Sequence, residues 1–510
     1  MNDDKIKIKL NPFLGNSKNF IENFYIIGYD EKMLSKYCPN IIENKNNLKL
    51  SIISSIMDID EYVDEKRIKQ IYPNPPNIIK KTNSMVKPTP TNIIFYSCFD
   101  ALDGRKKIIL SFYALRFYEE YKDRISNNEY YIPKAFLIYS QYTYFTAFQN
   151  ICSLLLSYNE KENKIPIEIF IYLLIKNVPS PIKSNIILNN FEHQISIPKL
   201  TGYPYINFNL SKIFNLMPIN EFIKIFILTF LEIGIFIVSP YLENLNMFMF
   251  ILYILNYPLI DSYYYWHIKS ISKNELKNGD DSLNNPFKGV NEDFNFNLDF
   301  SNFRNLDFII DMENKKKPII KIKETNYSED IILLLDYINN ILNEKKVNSS
   351  FLFNCINSLK INLKNIKKEY DIKIENNIPN TFFYVNNDII QINRKIQEAF
   401  YDFNLNIILI FYKLYQYDIS SSKIIRQKND LFDLAKEENI FFKIFQNTIK
   451  FNTYFELFIT NFKSIDEINI SNLFFDEFAS LCVEDENKIT QKNINKFKII
   501  DDLYSTKKEI

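Results

Sequence analysis

A chain of 510 residues is too long for one hydrophobic core, so it should divide into two to four domains. Its 61 basic and 61 acidic side chains cancel, which removes the long-range positive field that draws a protein to nucleic acid or anionic lipid. The five cysteines, Cys38, Cys98, Cys152, Cys355 and Cys482, are odd in number and dispersed, the pattern of core thiols in a reducing compartment rather than of a disulfide framework.

His193 and His267 stand far from each other and from any cysteine pair, so no zinc spacing exists and no metal or other cofactor is expected. Met1 to Leu10 alternates Lys and Ile with two Asp and has no apolar stretch of the kind a secretory signal needs, which predicts a cytoplasmic protein. In chain order, Asn23 to Gly28 reads as a short buried strand, and the Pro-rich stretch from Tyr72 to Thr91 as an irregular connection. Asn92 to Phe99 and Lys107 to Phe117 form the arms of an antiparallel hairpin, with Asp103-Gly104 supplying the turn. Apolar residues at helical spacing predict helices over Phe145 to Leu156 and, after Pro166, over Ile167 to Val178.

Phe222 to Leu255 is apolar enough to raise the question of membrane spans. Lys224, Glu232, Ser239-Pro240 and Glu243 interrupt it, and one charge near the centre of a span costs roughly 2.5 to 3.5 kcal/mol on insertion scales. The expectation is a soluble helix, strand and helix over Ile219 to Leu231, Ile233 to Val238 and Leu242 to Leu255. From Lys321 to Asn380 the chain is rich in Lys, Asn and Glu with intermittent apolar stretches such as Ile331 to Ile341, which reads as a linker or insertion that is in part helical. Helical periodicity returns in Ala399 to Tyr415 and Phe441 to Phe462, and the tail from Glu484 is polar.

A search for covalent chemistry finds nothing. The seven glycines lack the spacing of a phosphate loop, and nucleophile elbows and paired metal-binding histidines are absent. Carboxylate pairs such as Glu119-Glu120 and Asp280-Asp281 read as solvated faces. The aromatic clusters Tyr263 to Trp266 and Phe294 to Phe303 lack the basic setting that nucleic-acid stacking requires.

What remains is an ordered series of blocks, and in these the chain resembles the tripartite DENN domain family. Phe24-Tyr25-Ile26-Ile27-Gly28 is similar to the opening strand of its upstream part. Phe95 to Phe99, Asp103-Gly104-Arg105 and Ser111 to Glu119 are similar to its hairpin, and Ile132-Pro133-Lys134 with Ala135 to Ser140, Tyr144, Phe145 and Phe148 to its most specific block. Pro166-Ile167-Glu168, Val178 to Pro181, Phe208 to Leu216, Leu231 to Ser239, Tyr257-Pro258, Pro286-Phe287 with Gly289-Val290, and Asp307 to Asp311 resemble the central part. Ile396 to Phe400, Phe441 to Phe451 and Phe474 to Glu477 resemble the downstream part. Gly234, Asp261 and the 321–380 insertion depart from the pattern and bear on partner identity rather than fold.

The resemblance implies an α/β protein with an N-terminal longin-like lobe, an antiparallel sheet with flanking helices, followed by a larger C-terminal α/β lobe and a helical downstream region. Its divisions fall at 18–160, 161–321, a partly disordered linker or insertion at 322–395, the downstream helices at 396–483 and a polar tail at 484–510. It further implies a guanine-nucleotide exchange factor for a Rab-type small GTPase in vesicle trafficking, held across both lobes and reaching vesicle membranes through a partner. Such a factor has no covalent chemistry of its own, binds no nucleic acid and has no transmembrane segment.

As contact residues we select Asp103 and Arg105 at the hairpin turn, and Ser239, Glu243 and Asn244 at the strand-to-helix junction, because polar residues at element ends are placed to meet a partner. Two alternatives stay open: a scaffold of the same fold without exchange activity, and a GTPase-activating relative that uses Arg105 as its finger.

Overall fold

The computed structural model describes residues 19–37, 42, 48–55, 68, 71–72, 76–82, 84–100, 107–123, 127–159, 169, 171–172, 186–190, 193–197, 206, 208–233, 235–238, 242–256, 259, 287–290, 308–311, 320–322, 329–345, 347, 350–374, 382–383, 386–418, 423–426, 436–448 and 451. The N-terminal part is an antiparallel sheet. Strands β1 (Asn23–Gly28), β2 (Ser51–Ser55), β3 (Ile79–Lys80), β4 (Thr91–Asp100), β5 (Lys107–Lys122) and β6 (Glu129–Ser140) pair in the order β2-β1-β6-β5-β4, with β3 beside β6. Helix α1 (Glu31–Tyr37) follows β1.

The hairpin read from the sequence is present and longer than its apolar pattern, because β5 runs on to Lys122 and pairs with β6 over its whole later half. Its register sets two of the family-like blocks side by side: Phe117 faces Lys134, Tyr118 faces Pro133 and Glu119 faces Ile132. Along β2, Ser54 faces Ile26 while Ile52 faces Ile27, so Ile53 is an extra residue and forms a β-bulge. The bulge lays Ile53 over Gly28, where a Cβ would sit 2.5 Å from Ile53 Cδ1, so this strand end accepts only glycine without a shift of its neighbour.

Helix α2 (Phe145–Asn159) packs against β5, and the hairpin β7 (Ile186–Asn190) and β8 (His193–Ile197) packs against α2. A 3₁₀ turn at Leu210–Lys212 leads into the short α3 (Ile213–Leu216). Then come α4 (Ile219–Phe230), β9 (Ile235–Val238) and α5 (Leu242–Leu255), the helix, strand and helix expected from the sequence. β9 is an interior strand of a second sheet, parallel to β10 (Phe287–Val290) on one side and to β11 (Phe308–Asp311) on the other, with β12 (Ile320–Ile322) antiparallel to β11 at the edge.

Both helices around β9 are apolar because they are enclosed. In α4, Phe222, Ile223, Ile225, Phe226, Ile227, Leu228 and Phe230 are buried, while Lys224 pairs with Glu221 at 2.8 Å on its one polar side. No single helix among the described residues is long and apolar enough to cross a membrane. The 3₁₀ turn with α3 passes a length and composition test jointly with α4, but the pair is bent by 114°.

Downstream lie α6 (Glu329–Leu342), α7 (Phe351–Ile374), α8 (Asn387–Leu414), the hairpin β13 (Tyr415–Asp418) and β14 (Lys423–Arg426), and α9 (Lys436–Phe445). Within the stretch expected as a linker or partly helical insertion, α6 and α7 are helices. Leu334, Ile338, Ile341, Leu352, Ile356, Leu359 and Leu363 enter the same core as α4 and the N-terminal sheet. The charged outer faces of these helices lower the average hydropathy of the segment and hide an apolar stripe at helical spacing.

The helix predicted over Ile167 to Val178 is described only at 169, 171 and 172, which are helical. The part of the Phe441 to Phe462 prediction beyond 451 and the polar tail lie outside the described residues. Cys152 and Cys355 are buried thiols whose pKa burial raises, as core cysteines should be. The side chains of the other three cysteines lie outside the described residues.

Two helices end alike. At α4 the chain turns through Glu232 at φ 56°, with Ile233 N–H returning to the Leu228 carbonyl at 3.0 Å. At α6 it turns through Glu344 at φ 59°, with Lys345 N–H returning to the Asn340 carbonyl at 3.0 Å. Glycine usually holds this left-handed position in such a terminus. At Glu344 the carboxylate offers a reason for the exception: Oε1 accepts from Lys360 at 2.7 Å and from Lys364 at 2.9 Å, and Lys360 is only 2% exposed.

These two lysines, Lys360 first, hold the Glu344 carboxyl down to about 2. An unfolded-chain glutamate titrates near ~4.3, so the folded value is the lower one. Its contribution to stability is present above the unfolded pKa and is lost as pH falls toward the folded one. Glu344→Gln is therefore expected to be less stable than wild type at about pH 5 and to approach it at about pH 2.5 in urea unfolding. An equal gap at both pH values would show that the lysines do not hold this carboxylate.

Candidate partner interface

The strand-turn-helix of β9 and α5 is the first constellation. Strands β9, β10 and β11 run in the same direction and in register, so their C-terminal ends, Val238, Val290 and Asp311, form one edge. In open parallel sheets that edge is where ligands and partners are met. Glu243 and Asn244 occupy the first turn of α5, and Ser239 is next in sequence after β9.

Asn244 is half-buried, and its Oδ1 accepts from Lys212 Nζ at 3.3 Å. The Lys212 ammonium also lies 4.3 Å from the centre of the Phe382 ring. The start of α5 is thus tied through one cation to the 3₁₀ turn and to the residues before α8. α5 also packs against β4, the strand that leads into the hairpin turn. So α5 and one arm of the hairpin are neighbours, while the hairpin turn itself lies outside the described residues. Asp103, Arg105, Ser239 and the Glu243 side chain themselves lie outside the described residues, so only Asn244 of the five has described contacts.

A second constellation sits on β5. Arg116 is half-buried; its Nε donates to Thr91 Oγ1 at 3.0 Å, its Nη1 to the Ile71 carbonyl at 3.4 Å, and its Cζ lies 5.7 Å from the Tyr72 ring. Tyr72 in turn donates to the Lys134 carbonyl at 2.7 Å. Burial lowers the pKa of Arg116, with Tyr72 and then Tyr118 acting in the opposite sense. Burial raises that of Tyr118, which Arg116 opposes. The sequence reading chose Arg105 and passed over Arg116, although a lone cation amid Phe112, Ala114 and Tyr118, at strand spacing in SFYALRFY, is a signal that alternation could have raised.

Three carboxylates and two lysines elsewhere near this end of the sheet are paired. Lys134 pairs with Glu119, and Lys81 bridges Glu120 at 2.9 Å and Glu129 at 3.0 Å. The two partners raise the pKa of Lys81, and Lys81 lowers that of Glu129. The carboxylate pair read from the sequence as a solvated face is thus part of an ion-pair row. Among the described residues no group of three or more His, Cys, Asp and Glu side chains is placed to hold a metal ion.

Residues 131–270 match the family model of the DENN (AEX-3) domain. The chain thus carries a segment similar to a DENN domain. No curated protein sequence matches the chain. The DENN match opens inside β6, between β1 and β5 in the N-terminal sheet, and runs past α5, so it takes in both α4 and the β9–α5 junction.

The DENN segment is completed by residues that follow it. Asn393 of α8 accepts from Leu210 N–H at 2.9 Å and donates to the Phe208 carbonyl at 2.6 Å, replacing for this turn the ladder bonds of a strand. Asn209 N–H donates to the Phe382 carbonyl at 2.5 Å, Asn220 to the Leu342 carbonyl at 2.9 Å and Asn404 to the Leu255 carbonyl at 2.8 Å.

An unmet buried donor or acceptor costs ~1–3 kcal/mol. Asn393→Leu strands two such groups and is expected to destabilise the protein by about 2–4 kcal/mol in urea unfolding. A loss below about 0.5 kcal/mol would mean that water or relaxation satisfies Leu210 and Phe208 instead.

Proposed function

We propose that this protein is a guanine-nucleotide exchange factor for a Rab-type small GTPase, promoting GDP release in membrane trafficking. The observation that carries the reading is the DENN match over residues 131–270, a family generally associated with Rab exchange. The ordered blocks on either side of it, from Phe24 to Glu477, support a tripartite division at 18–160, 161–321 and 396–483, with 322–395 between and a tail at 484–510. In this reading the N-terminal sheet with its flanking helices is the longin-like lobe, and the GTPase lies across it and the DENN core. Asp103, Arg105, Ser239, Glu243 and Asn244 face the GTPase. The protein is cytoplasmic and reaches vesicle membranes through its partner.

The mechanism requires no acid, base or cofactor on this chain. An exchange factor binds the nucleotide-free GTPase more tightly than the loaded one, and linkage then obliges it to weaken nucleotide binding by the same factor. A hundredfold weakening corresponds to about 2.8 kcal/mol of differential contact. That energy is available only if the contact surface does not relax onto the loaded form, which asks for rigid support beneath it. The start of α5, tied through Lys212 and lying on an enclosed core, has that support.

The test is release of fluorescent mant-GDP from a panel of Rab proteins, with pull-down of each in nucleotide-free and GTP-loaded form. The expected outcome is accelerated release from at least one Rab and preferential capture of its empty form. Capture without preference and without acceleration would assign the scaffold role, and no capture at all would remove the Rab reading.

A further inference from the structure

Arg116 and Tyr118 stand two residues apart on β5, so their side chains share a face of the sheet, and both are half-buried. A guanidinium carries five N–H donors in a fixed fork. Two are used, by the Thr91 hydroxyl and the Ile71 carbonyl, and the third contact is with the Tyr72 ring. All three partners are neutral. Among the described residues no carboxylate lies against Arg116, and the Tyr118 hydroxyl makes no hydrogen bond.

The carboxylates nearby are held by other cations, Glu119 by Lys134 and both Glu120 and Glu129 by Lys81. Among the described cations at this end of the sheet Lys80 and Lys122 are exposed to solvent, whereas Arg116 is half-buried with no carboxylate against it. A partly desolvated cation without a counter-charge is costly, and an added anion would relieve that cost.

We infer that Arg116 and Tyr118 form a subsite for one carboxylate, presented by an acidic side chain of a partner protein that docks on the N-terminal sheet. The fork donates through its remaining N–H groups and the tyrosine through its hydroxyl, a pairing of charge-assisted bonds. One unmatched positive charge suits one carboxylate. A phosphate dianion would meet the same single cation together with the repulsion of Glu119 and Glu120. A protein source fits the chain that leads into Thr91, the Arg116 partner: five and six residues before it Val86 is 85% exposed and Met85 40%, apolar surface that a free anion would leave uncovered. The subsite stands whether or not the partner is a GTPase.

The test uses the full chain and ligand-observed NMR, which reads weak binding to a large protein from broadening of the ligand's own signals. Three probes are compared: N-acetyl-aspartate methylamide, a short peptide with one Asp between Leu and Val, and inorganic phosphate. The peptide is expected to bind at least roughly tenfold more tightly than the methylamide, and phosphate more weakly than either. Arg116→Met should weaken the peptide by about tenfold or more and Tyr118→Phe by a few-fold. Tyr118→Phe keeps the ring, so it reports on the subsite even if Arg116→Met loosens the segment around Tyr72. Equal binding of peptide and methylamide would overturn the protein source, stronger binding of phosphate would overturn the carboxylate, and binding unchanged in both variants, or absent from wild type, would overturn the subsite.

Discussion

Phe222, Phe226 and Phe230 rise along α4 four residues apart, and the aromatic rings of the downstream helices meet them in turn. Phe400 lies 4.6 Å from Phe226 and 5.7 Å from Phe222, Phe403 sits 5.7 Å from Phe226, and Phe445 stacks on Phe230 at 4.8 Å with 12° between the planes. Aromatic pairs at these separations add about 0.5–1.5 kcal/mol each beyond the area they bury. Because the ridge is continuous, α4 has one seat against α8 and α9, and everything that follows α4 inherits its position: the turn at Glu232, β9, and the start of α5. A second aromatic chain, Phe145 with Phe208 and Phe250, carries the same core to the N-terminal sheet.

That continuity matters for a protein whose work is recognition. A surface that discriminates between two forms of a partner must resist bending toward the wrong one, and side chains at the ends of buried elements resist it best. The Lys212–Phe382 contact and the Asn393 bridge both join the DENN segment to residues that follow it. The rigidity of the proposed interface is therefore a property of the whole assembly of elements rather than of residues 131–270 alone.

Much of this was legible in the sequence wherever one physical signal dominated. The run from Ile219 to Leu255 divided correctly because its charges and its Ser-Pro pair mark element ends that enclosure could not move. β1 was legible from six successive buried positions, and the hairpin from alternation. α6 and α7 were harder, since an amphipathic helix in a Lys- and Asn-rich chain keeps its apolar stripe but loses its average hydropathy. The β5 constellation was less legible still. Arg116 and Thr91 are cross-strand neighbours by register, but Tyr72 joins them from a distant segment, and that pairing of 72 with 116 exists only once the chain is folded.

The bulge at Ile53 has a bearing on what the molecule does in a crowded solution. A sheet whose outermost strand is long and regular invites a second copy to add its own strand, and repeated addition produces fibres or precipitate. Here the outermost strand β2 is five residues long, three of them serine, and its extra residue breaks the spacing of donors and acceptors that an incoming strand would need to follow. The opposite rim, β4, has α5 lying against it. On the β2 side the described sheet offers a newcomer no uninterrupted margin, a safeguard against strand addition that does not depend on charge repulsion, which a chain of zero formal net charge lacks.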